Sequence, residues 1–162
     1  MAILLCQMFI LAGCSKNASL KDIEGWGETQ SLSVATDWAG IDFLSPEETF
    51  ILDDGTQMDL TTYRYRTGIV EALYRGSGYE LTFRRSNDLQ GLSLAEDDRS
   101  YAKEWDYDMD GITVHCLGDG VRANVIFFDA GGDHYSVTCH IGNEDAGLTG
   151  EELSSFLKPV LQ

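Results

Sequence analysis

The sequence predicts an α+β domain: an antiparallel sheet of about six or seven strands built from meanders, with an N-terminal and a C-terminal helix packed on one face. Three observations carry that reading. From Phe50 onward apolar residues recur at every second position, glycines sit beside Asp, Ser or another Gly between those runs, and the spacing turns helical near each end. Of the 162 residues 43% are apolar, enough to fill a single core, so the chain is a folding sequence rather than a disordered one.

The elements follow in order. Leu32, Ala35 and Trp38 recur at helical spacing within Ser31 to Ala39, and Gly40 stands where a helix would stop. Phe50-Ile51-Leu52, the turn Asp53-Asp54-Gly55 and the run from Met58 form a first hairpin. Strands are expected over Leu60 to Arg66, Ile69 to Arg75 and Tyr79 to Arg85, broken at Thr67-Gly68 and Gly76-Ser77-Gly78. Val70, Ala72 and Tyr74 then share a face with Tyr79, Leu81 and Phe83. Ser86 to Ser100 is an acidic, polar connection with one helical turn expected at Leu92 to Glu96.

In the second half, turn residues set the register. Asp110-Gly111 and Asp119-Gly120 suit two-residue turns, whose positive φ values Asp and Gly tolerate. Pairing Met109 with Ile112 sets Tyr107 against Val114, Asp106 against His115 and Trp105 against Cys116. Pairing Gly118 with Val121 sets Cys116 against Ala123, Val114 against Val125 and Ile112 against Phe127. A three-residue loop Ala130-Gly131-Gly132 then aligns Phe127 with Tyr135, Val125 with Val137 and Ala123 with Cys139, so one face is apolar across four strands. At the end, Thr149-Gly150-Glu151-Glu152 reads as a capping box opening a helix with Leu153, Phe156, Leu157 and Val160 on one stripe; Pro159 limits its length.

Net charge is −16, from 27 acids against 11 bases. Such a surface repels phosphate backbones, so no nucleic-acid partner is expected. The register leaves Asp106, His115, Asn124 and Thr138 in one polar row, with Arg122 beside His140 and diagonal to His115. A His beside a carboxylate can act as a base, or the carboxylate can orient a His that ligates a metal, but such a row is also the ordinary solvated side of an antiparallel sheet. This face is the candidate binding surface for a small ligand or an envelope protein. No catalytic grouping and no cofactor are expected; a hydrolase using Asp106 and His115 is the weaker alternative. Asp106, Asp108, Asp110 and Gly111 also match the opening of a calcium loop, yet Leu117 stands where the bidentate Glu belongs, and an Asp-Gly hairpin explains the same residues.

The N-terminal run closes on Leu11-Ala12-Gly13-Cys14, which resembles a bacterial lipobox. That resemblance implies a signal peptide over 1–13, a lipid on Cys14, a flexible spacer over 14–30, a single domain over 31–162, and an extracytoplasmic location on the cell membrane. A buried strand or a plain secretory signal are the competing readings, since the run falls short of the roughly 20 apolar residues that span a bilayer. With Cys6 in the signal and Cys14 lipidated, Cys116 and Cys139 remain. The register places them two strand spacings apart, roughly 9–10 Å, beyond the roughly 7 Å a disulfide allows. Two buried free thiols are expected.

Ser31-Leu32 through Ala39-Gly40-Ile41-Asp42-Phe43, Tyr79-Glu80-Leu81-Thr82-Phe83-Arg84, Asp110-Gly111-Ile112-Thr113-Val114, the stretch Asp129 to Val137 and the terminal helix together resemble an uncharacterised domain family of clostridial and related lipoproteins. Relatives of that domain form extracytoplasmic parts of some anti-sigma-factor-like membrane proteins. The shared positions are turns and core residues. The resemblance implies a fold and a location, and brings no catalytic set.

Overall fold

The computed structural model describes residues 25–92, 100–141 and 147–161. Nine strands form one antiparallel sheet: β1 (Gly27–Thr29), β2 (Thr49–Ile51), β3 (Gln57–Arg66), β4 (Ile69–Gly76), β5 (Tyr79–Ser86), β6 (Lys103–Met109), β7 (Ile112–Gly118), β8 (Ala123–Ala130) and β9 (Asp133–Ile141). Two helices accompany them, α1 (Leu32–Ala39) and α2 (Gly150–Leu157). The α+β class stands; the strand count exceeds the six or seven expected, with β1, ahead of the expected boundary, added on β3, while β2 pairs with β3 as the first hairpin.

The spatial order is β1-β3-β4-β5-β9-β8-β7-β6, with β2 also on β3. Two meanders therefore lie side by side, β3-β4-β5 and β6-β7-β8-β9, joined where β5 meets β9. The sheet begins at Gly27, ahead of the expected boundary at Ser31. A Cβ at Gly27 would stand 2.4 Å from the Tyr65 ring, so glycine is what lets β1 lie so close to that ring. The expected signal peptide over 1–13 and Cys14 lie outside the described residues.

Both helices cover one face, where Ala35, Ala39, Leu153, Phe156 and Leu157 join Tyr74, Leu81, Phe83, Val114, Ile126 and Val137 in one core. α1 ends as expected at Gly40, whose φ of 70° suits a residue without Cβ. Trp38, expected on its buried stripe, is 40% exposed and stacks on Tyr65 at 6.5 Å. The capping box of α2 is present: Thr149 Oγ1 accepts from the Glu152 N–H at 3.2 Å, and the Thr149 N–H donates to Glu152 at 2.8 Å. Glu152 is buried and also receives the Asp53 N–H, which ties the first hairpin to the helix start. In the connection after β5 a 3-10 turn spans Leu89–Leu92; the rest of the helical turn expected at Leu92 to Glu96 lies outside the described residues.

Two bulges decide which residues face the core. Thr61 is the extra residue where β3 slips against β4, so Met58 and Leu60 before it and Tyr63 and Tyr65 after it can all reach the helix side. The second bulge corrects the predicted register. Gly118 pairs with Ala123 and Leu117 with Val125, which leaves Asn124 as the extra residue. The β7–β8 connection is accordingly a four-residue loop rather than a two-residue turn. Asp119 accepts the N–H groups of Val121 and Arg122, both at 2.6 Å, and those donors hold its carboxyl below the usual range.

At the next connection Ala130 pairs with Asp133 across Gly131-Gly132, both at positive φ, so the loop has two residues instead of three. Cys116 therefore faces Ile126, and Ile126 faces Val137. Val125 points away from Val114, to the other face of the sheet. Only the β6–β7 register stands as predicted, from Lys103 opposite Gly118 to Met109 opposite Ile112.

Cys116 and Cys139 are thiols outside any disulfide, buried on the core face, although Cys139 stands opposite Leu81 in a different register from the expected one. Burial raises the Cys116 thiol from its ordinary value near 9 to about 11. Below the ordinary value the thiol is protonated in folded and unfolded chains alike. Above it only the unfolded chain ionises, so stability falls as pH rises through that window, by about 2 kcal/mol. Tyr74, also raised by burial, adds to the loss from pH 10 upward. Urea titrations across this range should show a shallower decline in Cys116→Ala than in the parent chain.

Candidate functional site

The face away from the helices carries one row that crosses the whole sheet. Asp106, His115, Phe127, Ser136, Arg84, Glu71, Arg64 and Glu28 stand opposite one another in sequence, from β6 through β7, β8, β9, β5, β4 and β3 to β1. Of the expected row, only Asp106 and His115 remain together. Thr138 lies on the same face one row away, opposite Val125 and Thr82. Asn124 is taken up by the bulge. Arg122 reaches toward α2, donating to the Gly147 carbonyl at 2.9 Å and pairing with Glu152 at 3.3 Å, so it supports the fold rather than this face. The His140 side chain lies outside the described part.

At the His115 end the face is hollow. A cavity of about 720 Å³ is lined by Leu89, Leu92, Ile112, His115, Phe127 and Asp129 among others. Leu89 is 64% exposed there, an apolar side chain presented to solvent. His115 is held from two sides: Nδ1 lies 2.9 Å from Asp106 and Nε2 lies 3.0 Å from Glu104. Asp129 is held in turn by His134 Nδ1 at 2.7 Å. The hollow thus combines an apolar floor with one lining carboxylate, Asp129, the composition of a site that orients an amphipathic molecule.

The same geometry bears on the two alternatives. Both ring nitrogens of His115 already face carboxylates, so neither is turned toward a nucleophile. For the calcium reading, Asp110 and Gly111 form a two-residue hairpin turn at φ 52° and 85°, and Asp106 is engaged by His115. The twelve-residue loop that would wrap a cation is replaced by paired strands. Among the described residues no three His, Cys, Asp or Glu side chains gather as a metal-binding set.

At the opposite end of the row, Glu71 is buried and pairs with Arg84, whose Nε donates to it at 2.7 Å, and with Arg64 at 3.4 Å. Arg64, Arg66 and Arg84 all lie within 4.5–5.6 Å of the Trp26 ring, which covers them. Trp26 was expected in a flexible spacer, and this contact brings it into the domain.

Phe127, Asp129, Leu89 and Leu92 were missed as site residues. Phe127 was assigned to the core by pairing Gly118 with Val121, which set it opposite Ile112; the bulge at Asn124 sets it opposite His115 instead, on the polar side. Comparison with protein-family models, with curated proteins and with solved structures gives no match for this chain.

Proposed function

We propose that this chain is a lipid-anchored, extracytoplasmic, non-catalytic binding or sensing domain at the bacterial cell envelope. The lipobox-like Leu11-Ala12-Gly13-Cys14 supports the location, and the hollow beside His115 supports the role. The family resemblance points the same way. Among the described residues no helix is long and apolar enough to cross a membrane.

The hollow takes a small cationic amphiphile. Its tail lies on Leu89, Leu92 and Phe127, and its ammonium group meets Asp129. Charge complementarity selects an amine over a fatty acid on a chain of net charge −16. Octylamine, kept below its micellar range, should raise the melting temperature while octanoate leaves it unchanged. Phe127→Ala should weaken octylamine binding about tenfold through lost apolar contact, and Asp129→Asn about threefold as an exposed charge is lost. No melting shift with either probe sinks the small-ligand reading. Retention of Cys14→Ser in the membrane fraction sinks the anchor separately.

A further inference from the structure

We infer that the outer edge of β6 is a docking site for an extended, basic peptide segment of a partner protein, a surface separate from the hollow beside His115. β6 ends the strand order, and its seven residues run without a bulge against β7. Its outer side has no strand partner among the described residues. The other end of the sheet is different: β3 is covered there by β1 and β2, each three residues long. A free, regular edge offers a row of backbone donors and acceptors to an incoming strand.

Side chains on the two faces of β6 say what that strand would be. On one face Glu104, Asp106 and Asp108 alternate, all exposed. On the other, Trp105 and Tyr107 border a cavity of about 220 Å³ that continues past Val121, Leu148, Thr149 and Gly150 to Leu153. That volume suits one apolar side chain, and Val121 at its mouth is 74% exposed. An added strand with Lys or Arg on one face would match the carboxylates, while one apolar residue on the reverse face would enter the cavity.

A second copy of this chain fits poorly. Antiparallel pairing of β6 with itself would set Glu104, Asp106 and Asp108 against the same three acids, a like-charge arrangement that opposes edge-to-edge association. The acidic edge thus discourages self-pairing and admits a basic strand.

The probe is a synthetic peptide of about ten residues, alternating Lys with Thr and carrying one Phe at a central Thr position. On the full chain, its addition should shift backbone amide resonances along Lys103–Met109 and give a measurable affinity by calorimetry. Asp108→Asn, which spares both the Asp106 and the Glu104 contacts of His115, should weaken it about threefold. N-methylation of alternate peptide nitrogens, which keeps the charge and removes strand donors, should abolish it. Octylamine binding should be unaffected by Asp108→Asn, which separates this site from the hollow. Equal binding by the N-methylated peptide, shifts confined to another surface, no binding at millimolar peptide, or dimerisation of the chain through β6 would each overturn the inference.

Discussion

Replacing Phe83 by alanine should lower the unfolding free energy by about 3–5 kcal/mol, the range for truncating a buried aromatic residue. Phe83 is fully buried, and its ring lies 5.4 Å from Phe43, 5.9 Å from Tyr135 and 6.0 Å from Phe156. Those partners come from the segment after α1, from β9 and from α2, so one ring joins both helical flanks to the centre of the sheet. Two effects add in the variant: the lost transfer energy of the ring, and a cavity that three separately anchored partners cannot close. Urea unfolding should move to a lower midpoint with an unchanged slope. Ile51→Ala, at a position 67% exposed on β2, should change stability by less than about 0.5 kcal/mol. A loss under about 1 kcal/mol for Phe83→Ala would mean that the core is not organised around this ring.

That core was legible in the sequence where local chemistry alone decides the structure. The Asp110-Gly111 turn fixed β6 against β7 residue by residue, and Thr149 with Glu152 announced α2. Val70, Ala72 and Tyr74 do share a face with Leu81 and Phe83. The errors arose where a single residue reverses the alternation. Nothing local distinguishes Asn124 in a bulge from Asn124 in a regular strand; the extra residue is accommodated because Asp119 closes a longer loop through the Val121 and Arg122 amides. Apolar residues run consecutively through Val125-Ile126-Phe127-Phe128, so either register buries a plausible set and alternation cannot choose between them.

The site was legible in part for the same reason. Asp106 and His115 were found together because they belong to a single hairpin whose turn was read correctly. The remainder depends on partners distant in sequence. Leu89 and Leu92 reach the hollow from the connection after β5, and no spacing rule relates them to Phe127. The long row from Glu28 to Asp106 requires β9 to dock on β5, a long-range pairing that periodicity does not encode. Trp26 looked like spacer because its partners are arginines on β3 and β5, far along the chain.

Those arginines make Glu71→Leu the second variant with a large expected effect, a loss of about 3 kcal/mol. Glu71 is 1% exposed and is the carboxylate between Arg84 and Arg64, which are themselves only 16% and 26% exposed. Removing it takes away the buried carboxylate that both guanidinium groups share beneath Trp26, a cost that comes from lost charge balance rather than from lost volume. The pair itself is not a strong net stabiliser, since Glu71 Oε2 has no hydrogen-bond partner while Oε1 accepts from Arg84. Glu71→Leu combined with Arg84→Met should therefore recover most of the loss, because it removes the unbalanced charge together with its source. Chemical unfolding of the parent, both single variants and the double variant measures that coupling directly. If the double variant is as unstable as Glu71→Leu alone, the deficit lies in packing around position 71 and the electrostatic account fails.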